Sequence, residues 1–207
     1  MRVRPATPDD HGRIAATLAA AFATDPPLSF LVPDERRREA LLRRHFAASL
    51  PLYAISGAIW TAGDGSAAAL WVAPGAYPFR LREELRVLPA RLEVFGRWPR
   101  RGIGAQRAID RHHPPDPPHW YLDYIGVEPA GQGRGLGSAL LAPMLARCDT
   151  ERRGAYLNAG SPRSRDLYLR HGFAVRSEFR LPFGGPPLWR MWREPAQAST
   201  SSPVSAS

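Results

Sequence analysis

The stretch that most constrains the fold of this chain is Tyr121 to Ser138, Tyr-Leu-Asp-Tyr-Ile-Gly-Val-Glu-Pro-Ala-Gly-Gln-Gly-Arg-Gly-Leu-Gly-Ser. Its aromatic and β-branched first half predicts a buried strand. Gly131, Gly133, Gly135 and Gly137 then predict a loop, and Leu140, Leu141, Met144, Leu145 and Cys148 recur at helical spacing. Strand, glycine loop and helix start aim several backbone N–H groups and a helix N-terminus at one point, where an anion binds. Glycine tolerates positive φ and lets a ligand approach the main chain. The segment is therefore a candidate site for a phosphate-bearing ligand.

A Walker-type loop ends in Gly-Lys-Ser/Thr, and the chain has no lysine. The dinucleotide fingerprint fits only as Gly133-Arg-Gly135-Leu-Gly-Ser138, with serine where glycine or alanine belongs. That fingerprint also follows the first strand of its domain, whereas this loop lies past the midpoint of the chain. A plain flexible turn before a core helix remains an alternative.

Gln132-x-x-Gly135-x-Gly137, beginning five residues after Val127 of a Val-x-Pro turn, resembles the acetyl-CoA signature of the GNAT N-acetyltransferase superfamily. Tyr168-Leu-Arg-His-Gly172-Phe173 resembles the Tyr-x-x-x-Gly-Phe that closes the following helix in that family. Within it the chain is similar to the puromycin acetyltransferase type, sharing Pro143, a Ser161-Pro-Arg163 turn and a last strand like Leu188-Trp-Arg-Met-Trp192. The resemblance implies an α/β (α+β) fold with a mixed central sheet flanked by helices and a splayed strand pair holding CoA. It implies acetyl-CoA as acyl donor, with Gln132, Gly133, Arg134, Gly135, Leu136, Gly137 and Ser138 on its pyrophosphate. Ile125, Gly126 and Val127 would take the pantetheine arm, and Asn158 and Ser164 would add cofactor contacts. At Ser164 many relatives carry asparagine.

With 207 residues the chain is read as one domain over 1–195, carrying a helical insertion at about 78–113, and a disordered tail over 196–207. No apolar run approaches the roughly 20 residues of a membrane span. Arg2, Arg4 and Asp9 at the start do not read as a signal segment. The single cysteine cannot pair within the chain, so a cytoplasmic location is expected. The net charge of +9 raises nucleic-acid binding, but the arginines are spread along the chain and a tetra-anionic cofactor absorbs part of the excess. His112, His113 and His119 lack metal-ligand spacing, so no metal site is expected.

Along the chain, residues 2–6 predict a strand, and Thr7-Pro8-Asp9-Asp10 predicts a capped helix start. Asp25 to Asp34 reads as a proline-rich connector; in relatives this segment lines the acceptor pocket, which nominates Leu28 and Phe30. A helix over about 35–50, strands at 57–60 and 67–72, and helices over 78–112 interrupted from Gly96 to Gly104 follow. Leu81, Leu85, Leu88, Leu92 and Phe95 form the apolar stripe of that insertion, which would cover the acceptor side. Pro143 predicts a kink in its helix or an early end.

An amine of pKa about 10.4 is neutral in only about one molecule in 2,500 at pH 7, so an N-acetyltransferase must take a proton from it. The resemblance makes Tyr168 the acid for the departing thiolate, against the alternative of a packed aromatic. Relatives place a glutamate six residues before the valine of Val-x-Pro, where this chain has Tyr121, a candidate acceptor contact. Strand alternation puts Tyr121, Asp123 and Ile125 on one face, making Asp123 the base or amine anchor, or else an aspartate held by an arginine. The expected enzyme acetylates a small-molecule primary amine by direct attack in a ternary complex, as monomer or homodimer, with no nucleic-acid or membrane partner. A protein N-terminal or lysine acetyltransferase and a non-catalytic acyl-CoA-binding module are the alternatives.

Overall fold

The computed structural model describes residues 2–196; the expected tail lies outside them from residue 197 on. Strand β1 (Val3–Pro5) leads through Thr7 into α1 (His11–Phe22), followed by α2 (Pro26–Leu31), α3 (Glu35–Ser56) and the hairpin β2 (Gly57–Ala62) and β3 (Ala67–Val72). Helices α4 (Leu81–Phe95) and α5 (Pro99–His112) precede β4 (Trp120–Val127) and α6 (Leu136–Thr150). Then come β5 (Ala155–Ala159), α7 (Pro162–Leu169), β6 (Ala174–Arg180) and β7 (Pro187–Arg193). The seven strands make one sheet in the order β1-β2-β3-β4-β5-β7-β6. Only β4 and β5 run parallel, so the sheet is mixed, with helices on both faces.

β3 lies inside the sheet between β2 and β4 with all six residues buried, which is why it reads Ala-Ala-Ala-Leu-Trp-Val without polar alternation. On one face Ile14 and Leu18 of α1 and Leu42 and Phe46 of α3 pack on Leu70, Val72 and Tyr121. On the other, Leu140, Leu141 and Met144 of α6 pack on Trp71, Leu122 and Leu157. Cys148 is buried in this second layer, and burial pushes its thiol up to about 12, far from a nucleophile's range. No described helix is long and apolar enough to cross a membrane.

Local readings need correction where tertiary packing outweighs propensity. The Asp25 to Asp34 connector contains α2: Pro26 and Pro27 occupy first-turn positions that need no donor, and Asp25 caps the helix by accepting the Leu28 N–H at 3.2 Å. α3 runs on through Pro51 to Ser56, because Leu50, Leu52 and Tyr53 are buried and outweigh a proline cost of about 3 kcal/mol. α6 likewise continues through Pro143 to Thr150. α5 starts at Pro99 and includes Gly102 and Gly104, so the break between α4 and α5 spans only Gly96 to Trp98. In α4 the buried residues are Glu83, Val87 and Val94, while Leu81, Leu85, Leu88 and Leu92 stay exposed.

Strand alternation in β4 is also broken. Leu70 pairs with Tyr124 and Trp71 with Leu122, which leaves Asp123 as the extra residue of a β-bulge. Past the bulge the faces swap. Tyr121, Asp123 and Tyr124 point to the α1/α3 side, while Ile125 packs in the α6 layer. The expectation that Ile125 shares a face with Tyr121 and Asp123 is therefore wrong, because one inserted residue shifts a period of two.

Candidate active site

β4 and β5 pair only from Trp120↔Ala155 to Leu122↔Leu157. Beyond that point β4 stays with β3 as far as Val127↔Ala67, and β5 stays with β7 as far as Ala159↔Trp189. The strands part, and the β5-facing edge of β4 from Asp123 to Val127 has no strand partner. Such an edge offers N–H and C=O groups to an extended ligand with amides of its own. Ile125, Gly126 and Val127 lie on it. Gly126 is needed for a separate reason: a Cβ there would come within 2.9 Å of Leu18 Cδ2, so α1 packs directly on the main chain.

The glycine loop begins where this edge ends. Val127 O accepts from Gln132 Nε2 at 3.2 Å, and Gln132 Oε1 accepts from Arg163 Nη1 at 2.8 Å, which ties the loop to α7. Gly133 and Gly135 both adopt φ of +79°, and a Cβ at either would meet nothing within 4 Å. Glycine is required there by backbone conformation, in space left open to a ligand. The N–H groups of Leu136, Gly137 and Ser138 open α6 without intrahelical acceptors, and exposed Arg134 adds positive charge beside them. This cradle fits a diphosphate.

The two outlying cofactor candidates differ. Ser164 Oγ donates to Ser161 O at 2.9 Å and accepts the Ser161 N–H at 3.1 Å, so this hydroxyl is engaged in capping α7. Asn158 accepts from the Tyr156 hydroxyl at 2.8 Å, while its Nδ2 is buried without a partner at the end of β5 that flanks the gap. A buried orphan donor there suits a ligand carbonyl.

On the α1/α3 side of the gap lies a cavity of about 510 Å³ enclosed by α2, α3, α4, α5 and β4. Its floor is a carboxylate held by two phenols: the Tyr53 and Tyr121 hydroxyls donate to Asp123 at 2.5 and 2.9 Å. Burial raises the Asp123 pKa above the usual carboxylate range, while the two phenols and nearby Arg91 pull it back. His45 also lines the cavity; burial, then Arg91, lowers its pKa to about 4, so it is neutral at pH 7. Leu28 lines the cavity as expected, but Phe30 does not. Phe30 packs beside Leu181 and Phe179, under the Arg101 guanidinium at 4.7 Å, because α2 turns successive side chains to different sides.

Tyr168 lies in the α6 layer, 6% exposed and edge-on to Phe173. No hydrogen bond from a described side chain acts on its hydroxyl, and burial, then Asp25, holds its pKa above the usual phenol value. Asp123 and Tyr168 thus sit on opposite faces of the sheet.

Asp25 was legible in the sequence only as part of a connector. Its carboxylate raises the pKa of Tyr124 on one face and of Tyr168 on the other, and Oδ2 lies 3.3 Å from where a Gly160 Cβ would stand. It therefore sits at the gap. Burial pushes it from 3.8 up to about 6, with the Leu28 N–H pulling it back. Because the folded pKa is the higher one, the native state holds more protons than the unfolded chain between about pH 4 and 6, and stability falls as pH rises through that window. Asp25→Asn keeps the cap and removes the charge. The variant is expected to gain up to ~3 kcal/mol above pH 6 and nothing below pH 4, read by urea denaturation across pH.

A family model described as the Acetyltransferase (GNAT) family matches residues 90–173. A crystal structure from Corynebacterium glutamicum, described as histone acetyltransferase HPA2 and related acetyltransferase, is 31% identical with a TM-score of 0.73, covering 95% of this chain and 97% of that one. An uncharacterized N-acetyltransferase of Schizosaccharomyces pombe is 28% identical over 210 residues, 92% of this chain and 82% of that protein. Arylalkylamine N-acetyltransferase 2 of Aedes aegypti shares the fold at 15% identity, with a TM-score of 0.60 over 93% of this chain and 98% of that one.

Proposed function

The chain belongs to the GNAT acetyltransferases, acetyl-CoA-dependent enzymes that acetylate an amine, and on that premise we propose that its acceptor is a small-molecule primary amine bound against Asp123. The observation that carries this reading is the cavity of about 510 Å³ ending on a buried carboxylate. That volume suits a small ligand, and the helices around it leave a protein substrate little main chain to pair with. The motifs at Pro143, Ser161-Pro-Arg163 and Leu188 to Trp192 favour the puromycin type within the family.

Bound acetyl-CoA supplies an acyl carbon activated as a thioester. The α6 start and the Gly133 to Gly135 loop hold its diphosphate, the β4 edge from Ile125 to Val127 holds the pantetheine arm, and Asn158 Nδ2 donates to a carbonyl. The Ile125 N–H is the candidate donor for the oxyanion. Asp123 receives the ammonium, orients it toward the gap and takes its proton, directly or through water. The nitrogen would form the new C–N bond as the C–S bond breaks; Tyr168 would protonate the departing sulfur and regain its proton from the nitrogen's second one through solvent, and Asp123 would return its proton to solvent. Holding both substrates at one gap supplies most of the acceleration.

Thiol release is expected with small primary amines and not with peptides bearing free N-termini or lysines. Turnover confined to peptides would reverse the assignment of the acceptor.

A further inference from the structure

The cavity is polar at its floor and apolar at its mouth. Leu88, Leu92 and Ile103 all line it and yet are 42%, 60% and 53% exposed, so they form the rim. Such a rim is costly in water, and Val87 and Val94 already suffice to pack α4 inward. At the floor, Tyr53 and Tyr121 turn their hydroxyls to Asp123, and Tyr124 lines the cavity beside them.

Of the other carboxylates on the cavity wall, one is ion-paired and one is held by neutral donors. Glu84 is ion-paired with Arg91. Asp110 accepts the Tyr77 hydroxyl at 2.5 Å and the Gln106 amide at 2.8 Å. His45 is neutral at pH 7. Asp123 and the exposed Asp110 both make no salt bridge with a described side chain, and of the two Asp123 is the buried counter-charge, at the bottom. A second cation lying against Leu88 or Leu92 would have no partner there, at a desolvation cost; one that reached Asp110 would find a carboxylate.

Resting on the small-amine reading above, we infer that the acceptor is a primary amine with an apolar tail, its ammonium on Asp123 and its tail along Leu88, Leu92 and Ile103. The rim leucines are specificity-determining residues, and the exposed stripe of α4 continues the path of a longer tail.

The test is kcat/KM for straight-chain amines from propylamine to octylamine, with 1,5-diaminopentane set against pentylamine. Each methylene drawn under the rim is expected to raise kcat/KM about fourfold until the tail passes the mouth. The diamine is expected to fall ~10-fold or more below pentylamine. Leu92→Asp, at an exposed position, is expected to keep the melting temperature while flattening the chain-length slope and narrowing the diamine gap. A flat series, or a preference for the diamine, overturns the apolar tail and leaves small-amine acetylation standing. Turnover of other small primary amines with none of the series overturns the apolar tail alone, and no turnover with any small primary amine overturns both.

Discussion

Tyr168→Phe is expected to lower kcat by ~10²–10⁴-fold, the range of a lost general acid, while leaving acetyl-CoA binding and the fold intact. The ring already packs edge-on to Phe173 in the α6 layer, and phenylalanine keeps that contact. No hydrogen bond from a described side chain acts on the hydroxyl, so removing it leaves no described side chain without its partner. Burial, reinforced by Asp25, keeps the phenol protonated at every pH at which the enzyme would be assayed. An acid of this kind matters most when the leaving thiolate is basic. The deficit is therefore expected to shrink when the acetyl donor is an aryl thioester, whose thiolate departs without a proton. A variant with wild-type kcat on acetyl-CoA would return Tyr168 to the role of a packed aromatic.

The loop and the fold were readable from the sequence because their signals are contiguous. Val127, Gln132, Gly135 and Gly137 dictate a strand end, a turn and a helix start within a dozen residues, and the backbone there follows from glycine's own conformational range. The pair Tyr168 and Phe173 closes the next helix by the same kind of local rule.

What escaped was set by partners distant in sequence. The bulge at Asp123 depends on how Leu70 and Trp71 register against β4, and nothing within β4 itself announces it. The α4 stripe predicted a helix correctly, but the buried side was decided by α3, which meets Val87 and Val94 and leaves the leucines to the cavity rim. Asp25 read as a proline-flanked turn residue; its place at the gap follows from α2 folding back toward Gly160. Phe30 was misassigned for the same reason, since inside a connector its direction is free, whereas inside α2 it is fixed.

Asp123→Asn is the second large effect, expected to cost ~10²–10⁴-fold in kcat/KM when the base and the anchor of the ammonium are lost together. The substitution is nearly isosteric, and the amide oxygen still accepts from one of Tyr53 or Tyr121. Burial raises the folded pKa of Asp123, so its charge costs stability as pH rises through that value, and removing it relieves the cost. The variant is therefore expected to be at least as stable as wild type at pH 8 while nearly inactive, a pattern that a merely structural aspartate would not give. The pH profile supplies the sign. Wild-type kcat/KM rises as Asp123 loses its proton, above the usual carboxylate range because burial outweighs the pull of the phenols and Arg91. His45, already neutral, adds no limb near pH 7. In Asp123→Asn that limb disappears, leaving only the slope from deprotonation of the amine itself. Should the acidic limb persist in the variant, the proton acceptor is another group at the gap, and Asp25, poised at about 6, is the one to replace next.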